Sequence, residues 1–165
     1  MNKNNINISK DHKSLSRAFT LIEVLVVIGI IAILATIVLV AVNPARQFKL
    51  ARDSQRTSNV NALLNGIHQN MAEHRGVFVC EGVTKDIPNS WTLVAGSGSH
   101  TDTGDLAYCL VPDYISSLPF DPSITSAHFT SIDDYDTGYW IYRDANGRIT
   151  ASSTGELVTT ISVTR

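Results

Sequence analysis

Nineteen consecutive residues, Val24 to Val42, carry no charged side chain. As a helix at ~1.5 Å per residue the run covers about 28 Å, close to the roughly 30 Å hydrocarbon thickness of a bilayer, so it suits one membrane crossing. It also lacks the small-residue cleavage site of a secretory signal, whose apolar core spans only about 7–15 residues; the run continues instead into Asn43-Pro44-Ala45-Arg46. Removal of the whole hydrophobic segment is therefore not the expected reading. Two cysteines are too few for a structural zinc site, and His68 and His74, six residues apart, do not share a helix face. The chain has no phosphate-cradling loop, no nucleophile-elbow serine and no metalloprotease His pair. Neither catalysis nor a cofactor nor a metal is expected.

Ahead of the apolar run stand Lys3, Lys10, Lys13 and Arg17 against Asp11 alone, a net +3 that holds this end in the cytoplasm and directs the rest of the chain outward. One acid, Glu23, sits at the edge of the run. An isolated carboxylate in a membrane costs about 2.5–3.5 kcal/mol on insertion scales, so such a group is normally partnered and functional. The bland reading is a helix start in which Thr20 and Glu23 form a capping box and the helix dipole favours the charge. Both roles are compatible, and the apolar flanks favour one beyond capping.

The segment Ala18-Phe19-Thr20-Leu21-Ile22-Glu23, followed by the apolar run, resembles the N-terminal signature of type IV prepilins and type II secretion pseudopilins. The resemblance implies a cut between Ala18 and Phe19 by a membrane-embedded aspartic prepilin peptidase, methylation of the new Phe19 terminus, and retention of the hydrophobic helix. The residue before such a cut is usually glycine; here it is alanine. It further implies that Glu23, fifth in the mature chain, neutralises the Phe19 amine of an incoming subunit, a group largely cationic at neutral pH. Implied partners are prepilin peptidase, other pilins in a homo-oligomeric filament, an inner-membrane assembly platform and membrane lipid. The implied place is the cytoplasmic (inner) membrane, single-pass with the C-terminal domain outside, and then a pilus or pseudopilus. The different-class alternative is a monomeric signal-anchored binding protein or enzyme; a third is a minor tip pilin that binds DNA or a surface.

Four segments are expected: a leader 1–18, a hydrophobic helix 19–42, an amphipathic helical stem 43–75 and a β-rich head 76–165. Val60, Leu63, Leu64, Ile67 and Met71 recur at three-to-four spacing and define a stripe facing the head. Pro44 predicts a kink or break near Val40, Gly66 a soft point, and Gly76, after His74 and Arg75, the helix stop. Residues 43–75 hold five basic side chains against two acids, residues 76–165 four against eleven. Either the basic stem of one subunit meets the acidic head of another, or both are solvated surfaces. Arg46, Lys49, Asp53 and Arg56 share a flank, but without interleaved aromatics nucleic acid is not an expected partner.

Beyond Gly76, short β-type runs alternate with turns: Val77–Cys80, Trp91–Val94, Leu106–Val111, then Tyr139–Arg143, the Asn146-Gly147 hairpin, Arg148–Ala151 and a third strand over Glu156–Val163. Residues 96–104 read as a loop. The expected fold is α+β and pilin-like, a long N-terminal helix packed on an antiparallel meander. Tyr114–Pro122 is similar to the Leu-Pro-x-Asp-Pro segment that precedes the sheet in major pseudopilins. Cys80 and Cys109, in an outward-facing domain, favour a disulfide contributing roughly 3 kcal/mol; two buried thiols are the other reading. Asp133-Asp134-Tyr135-Asp136 could offer carboxylates to calcium, as an acidic loop does in the major pseudopilins it resembles, but it lacks the spacing of a calcium hand and reads first as a solvated turn before the Tyr139 strand. Trp91, Tyr139, Trp140 and Tyr142 read as cross-strand packing before a binding surface.

Overall fold

The computed structural model describes residues 19–96 and 104–165. The leader, with Ala18, and most of the 96–104 loop lie outside the described residues. The described chain forms two compact units that divide after Asn43.

The first unit contains α1, Leu21–Val42. Thr20 is extended and caps it, its Oγ accepting the Glu23 N–H at 3.3 Å. Apart from Glu23 and Thr36 the 22 residues carry no polar side chain on any side, and none is buried within the chain. A helix of this kind belongs in a protein core or a membrane. By length and composition α1 is able to cross a bilayer. Asn43 ends it in the left-handed region, φ 46°, which Asn adopts more readily than most residues because its short side chain bonds locally. Pro44 then opens the next helix, at the one place where a missing N–H forfeits no intrahelical bond. The expected break is thus present, but Asn43 makes it and no ring stands inside a continuous helix.

The second unit is α+β. Its helix α2, Pro44–Glu73, lays the expected stripe against the sheet: Val60, Leu63, Leu64 and Ile67 are fully buried and Met71 packs at the edge. The stop lies at the expected place in different form. The helix closes at Glu73, and Arg75 and Gly76 both take left-handed backbone, φ 59° and 88°, so that the Gly76 N–H returns to the Met71 carbonyl at 2.7 Å. Gly66 is not a soft point. A Cβ there would lie 2.6 Å from Ile115 Cδ1, so the missing side chain lets the 115 loop close on the helix.

After α2 come a two-stranded ribbon, β1 Val79–Cys80 with β2 Val83–Thr84, then β3 Thr92–Gly96, the short helix α3 Ala107–Leu110, β4 His128–Ser131, β5 Asp134–Arg143, β6 Ile149–Thr154 and β7 Thr160–Thr164. The main sheet is antiparallel in the order β3-β5-β6-β7, with β4 also paired to β5. Alternation along β5 turns Tyr135, Thr137, Tyr139 and Ile141 inward, where Ile149 and Ala151 of β6 join them under α2. On the outer face Trp140 stays half exposed and Trp91 meets Tyr142 with ring centroids 5.4 Å apart. The Asn146-Gly147 turn joins β5 to β6 as expected, Gly147 at φ 83°.

Three expectations fail. Leu106–Val111 is not a strand: Ala107–Leu110 coils into α3 because Leu106, Ala107 and Leu110 are all fully buried, and a short apolar run does not by itself separate the two forms. The acidic stretch is not a turn ahead of the strand, since Asp134, Tyr135 and Asp136 already belong to β5 and pair with the unforeseen β4. The last strand starts at Thr160, because Glu156 and Leu157 are held by α2.

Candidate functional site: an uncovered helix and an ion-paired stem

The N-terminal candidates lie at the start of α1. Phe19 is exposed, and Glu23 stands in the first helical turn, where its carboxylate favours the helix dipole. Among the described residues no ion pair or side-chain hydrogen bond engages that carboxylate. Capping is therefore done by Thr20, whose Oγ accepts the Glu23 N–H. With every side chain of α1 uncovered, the surface built by Leu21–Val42 is one continuous apolar face.

The stem residues are arranged otherwise than a solvated flank. Arg56 is 2% exposed and fans its guanidinium over the head. Nε and Nη2 donate to the two oxygens of Asp121 at 2.7 and 3.1 Å, Nη2 also to Ser123, and Nη1 to Asp53 at 2.7 Å and Glu156 at 3.2 Å. One turn earlier Arg52 grips Glu156 with two bonds, at 2.5 and 2.6 Å. Asp53 closes the set by accepting the backbone N–H groups of Glu156 and Leu157, both at 2.8 Å. The basic residues of the stem thus meet the acidic head of their own chain at these positions, which corrects the expectation of a solvated or purely intersubunit flank for Asp53 and Arg56.

The electrostatics follow from the geometry. Burial pushes the Asp121 carboxyl upward, but Arg56 and the Ser123 and Ile124 N–H groups outweigh it and hold the carboxyl down at about 2. Asp53 is held below the ordinary carboxylate range by the Glu156 N–H first, then by Leu157 and Arg56. Hydrogen bonds from Arg52 lower Glu156 likewise. Burial raises the Tyr139 hydroxyl to about 12; it accepts from Asn59 Nδ2 at 2.8 Å.

Cys80 and Cys109 form a disulfide, Cα–Cα 4.5 Å. Beside it Asn70, almost fully buried, imitates a strand partner: Nδ2 donates to the Val79 carbonyl at 2.8 Å and Oδ1 accepts the Val79 N–H at 2.9 Å. Tyr135 does related work at α3, donating to Asp105 at 2.7 Å while accepting the N–H groups of Leu106 and Ala107. The sequence reading put Arg56 and Asn59 in a polar section of the stem and Tyr135 in an acidic turn without their partners, and gave Asn70 no role. Only Asp121 had a signal, as the acid of Leu118-Pro119-Phe120-Asp121-Pro122. Among the described residues no three His, Cys, Asp or Glu side chains gather as metal ligands. Nothing in this arrangement pairs a nucleophile with a base.

Residues 13–39 match the family model of the prokaryotic N-terminal methylation motif, the signature of type IV pilins and pseudopilins. The match takes in Ala18, Phe19, Glu23 and most of α1. No curated protein and no solved structure matches the chain. The motif supports a type IV pilin-like or pseudopilin substrate of prepilin peptidase, suggests a structural protein, and with the single apolar helix fits an anchor in the inner membrane.

Proposed function

We propose that the chain is a structural subunit of a type IV pilus or type II secretion pseudopilus. Prepilin peptidase removes residues 1–18, the Phe19 amine is methylated, and the subunit waits in the inner membrane with residues 76–165 outside. Residues 19–42 then leave lipid for the interior of a filament. One observation carries this reading: the methylation motif coincides with a helix uncovered on every side whose single carboxylate, Glu23, has no partner within the described chain.

The chemistry is that of charge neutralisation in an apolar medium. A cleaved Phe19 carries an ammonium group whose charge survives methylation. Burying either ion alone is costly, and removing one partner of a buried pair strands the other. Glu23 of one subunit beside the Phe19 amine of the next answers both costs, and it orders addition, because a subunit in the wrong register meets lipid or leucine instead. The assembly platform and membrane lipid are the partners before addition, other pilins after it.

The test is intact and N-terminal peptide mass spectrometry of the protein recovered from membranes, joined to Glu23→Ala. A terminus at Phe19, heavier by a methyl group, with Glu23→Ala abolishing filaments while leaving cleavage intact, is the expected outcome. A mature protein that always retains residues 1–18, with location and behaviour indifferent to Glu23→Ala, sinks the proposal and returns a plain signal anchor.

A further inference from the structure

The head covers α2 only from Arg52 onward, and the turns before it, Pro44–Ala51, are exposed on every side. Phe48 and Lys49 stand one turn ahead of Arg52 and Asp53, so they prolong, past the end of the head, the side of α2 on which the head sits. Phe48 is 65% exposed. The part of the head next to these residues is the β6–β7 loop, which Asp53 holds by the Glu156 and Leu157 N–H groups and Arg52 by the Glu156 carboxylate. That loop turns Leu157 and Val158 outward, 41% and 51% exposed, while its one acid, Glu156, is answered by Arg52 and Arg56. Three apolar side chains and a cation thus lie toward the end of the head nearest Pro44.

Where Pro44 lies decides what covers them. As a helix of 22 residues α1 is about 33 Å long, enough to fill the roughly 30 Å hydrocarbon core, and Asn43 alone separates it from α2. In the membrane-anchored subunit Pro44 therefore emerges at the lipid surface. Phe48, about 6 Å along the helix from it, falls within a headgroup layer roughly 5–8 Å deep, whichever way α2 points. We infer that the near end of the head rests on that surface before assembly, with Phe48, Leu157 and Val158 set among phospholipid headgroups and Lys49 reaching their phosphates. The inference rests on the membrane-anchored stage of the filament reading and gives that stage a lipid contact beyond α1. The occupant follows from covalent continuity with the spanning helix, which holds this end of the head against lipid while the subunit is alone. Leu157 makes the claim specific. Its anchor Asp53 stands about 14 Å along α2 from Pro44, so Leu157 meets headgroups only when α2 leans toward the side that bears the head. Apolar side chains at the acyl boundary and a long cation extended to the phosphates are what binding at that depth uses.

The experiment expresses the full chain in cells with p-benzoyl-phenylalanine at Val158, or at Ile132 as the control, an exposed residue that shares a cleft with Glu73 at the other end of α2. Glu23→Ala is included, because the filament reading keeps that variant unassembled in the membrane. After irradiation the adduct masses and the N-terminal mass are read on the membrane fraction. Phospholipid adducts at 158 are expected to exceed those at 132 about tenfold, and to fall about tenfold when Phe48→Glu is added, with the amount of chain in the membrane unchanged. Equal yields at 158 and 132, adducts at 158 to a second copy of the chain in place of lipid, or a yield indifferent to Phe48→Glu overturn the contact. Lipid adducts at 158 in a chain that always keeps residues 1–18 uphold the contact and sink the filament reading alone; a chain absent from membranes overturns both.

Discussion

Replacing Arg56 by methionine is the sharpest test of how the head is held to its stem. The guanidinium is 2% exposed and meets Asp121 and Asp53, themselves buried, so its loss leaves two carboxylates out of water with their strongest partner gone. Breaking a buried pair from one side costs about 3–5 kcal/mol. The Ser123, Ile124, Glu156 and Leu157 N–H groups still reach these carboxylates, which keeps the loss inside that range. Against a domain stability of about 5–15 kcal/mol the variant head is marginal, and its midpoint should fall by roughly 10–20 °C. The assay is thermal unfolding of the full chain in detergent, followed by tryptophan fluorescence, since both tryptophans, Trp91 and Trp140, lie in the head. Acid sharpens the result. Against burial, the Arg56 guanidinium and nearby N–H groups hold Asp121 down at about 2 in the fold against about 3.9 when unfolded, so it contributes roughly 2–3 kcal/mol that is fully present above pH ~5 and lost as pH falls through 2. Arg56→Met should flatten that window, and Arg56→Met combined with Asp121→Asn should be more stable than the two single losses added together, because Asn still accepts from Ser123 and Ile124. A loss below about 1 kcal/mol, the scale of a surface ion pair, or strict additivity, would refute the reasoning.

Cys80→Ser with Cys109→Ser should lower head stability by about 3–4 kcal/mol by the chain-entropy relation for a separation of 29 residues, read as a denaturant midpoint shift that reductant reproduces in the parent and not in the variant. Asn70→Ala removes both bonds to Val79 and leaves that N–H and carbonyl short of a partner. A loss of about 1–3 kcal/mol is expected, with faster amide exchange at Val79 than at the β5–β6 ladder; unchanged exchange there would show that water or a neighbouring strand replaces Asn70.

What was legible in the sequence was whatever repeats locally. The uncharged run and the lone Glu23 give α1 and its anomaly without knowledge of any distant residue, and three-to-four spacing from Val60 to Met71 gives the buried stripe because a helix turns residues four apart to one side. Asn146-Gly147 announces its turn because few other pairs accept the positive φ angles it needs. What stayed hidden depends on separation. Arg56 and Asp121 lie 65 residues apart and Arg52 and Glu156 104 apart, and no local pattern says that a basic flank will be folded under its own head. Leu106–Val111 failed for a different reason: with Leu106, Ala107, Cys109 and Leu110 all buried, no alternation is left to tell strand from helix.

The two units answer opposite demands. Among the described residues of the head no buried side-chain nitrogen or oxygen lacks a hydrogen-bond partner, and even its most concentrated charges, Arg56 and Asp121, neutralise one another inside the chain. The helix before Asn43 keeps 22 uncovered residues and one unanswered carboxylate, a combination that water disfavours. Physical completeness in one unit and incompleteness in the other assign their substitutions to different observables. A change at Arg56 alters how firmly the head is folded, whereas under the proposed function a change at Glu23 is read in assembly, where a second molecule supplies the cover and the counter-charge for α1.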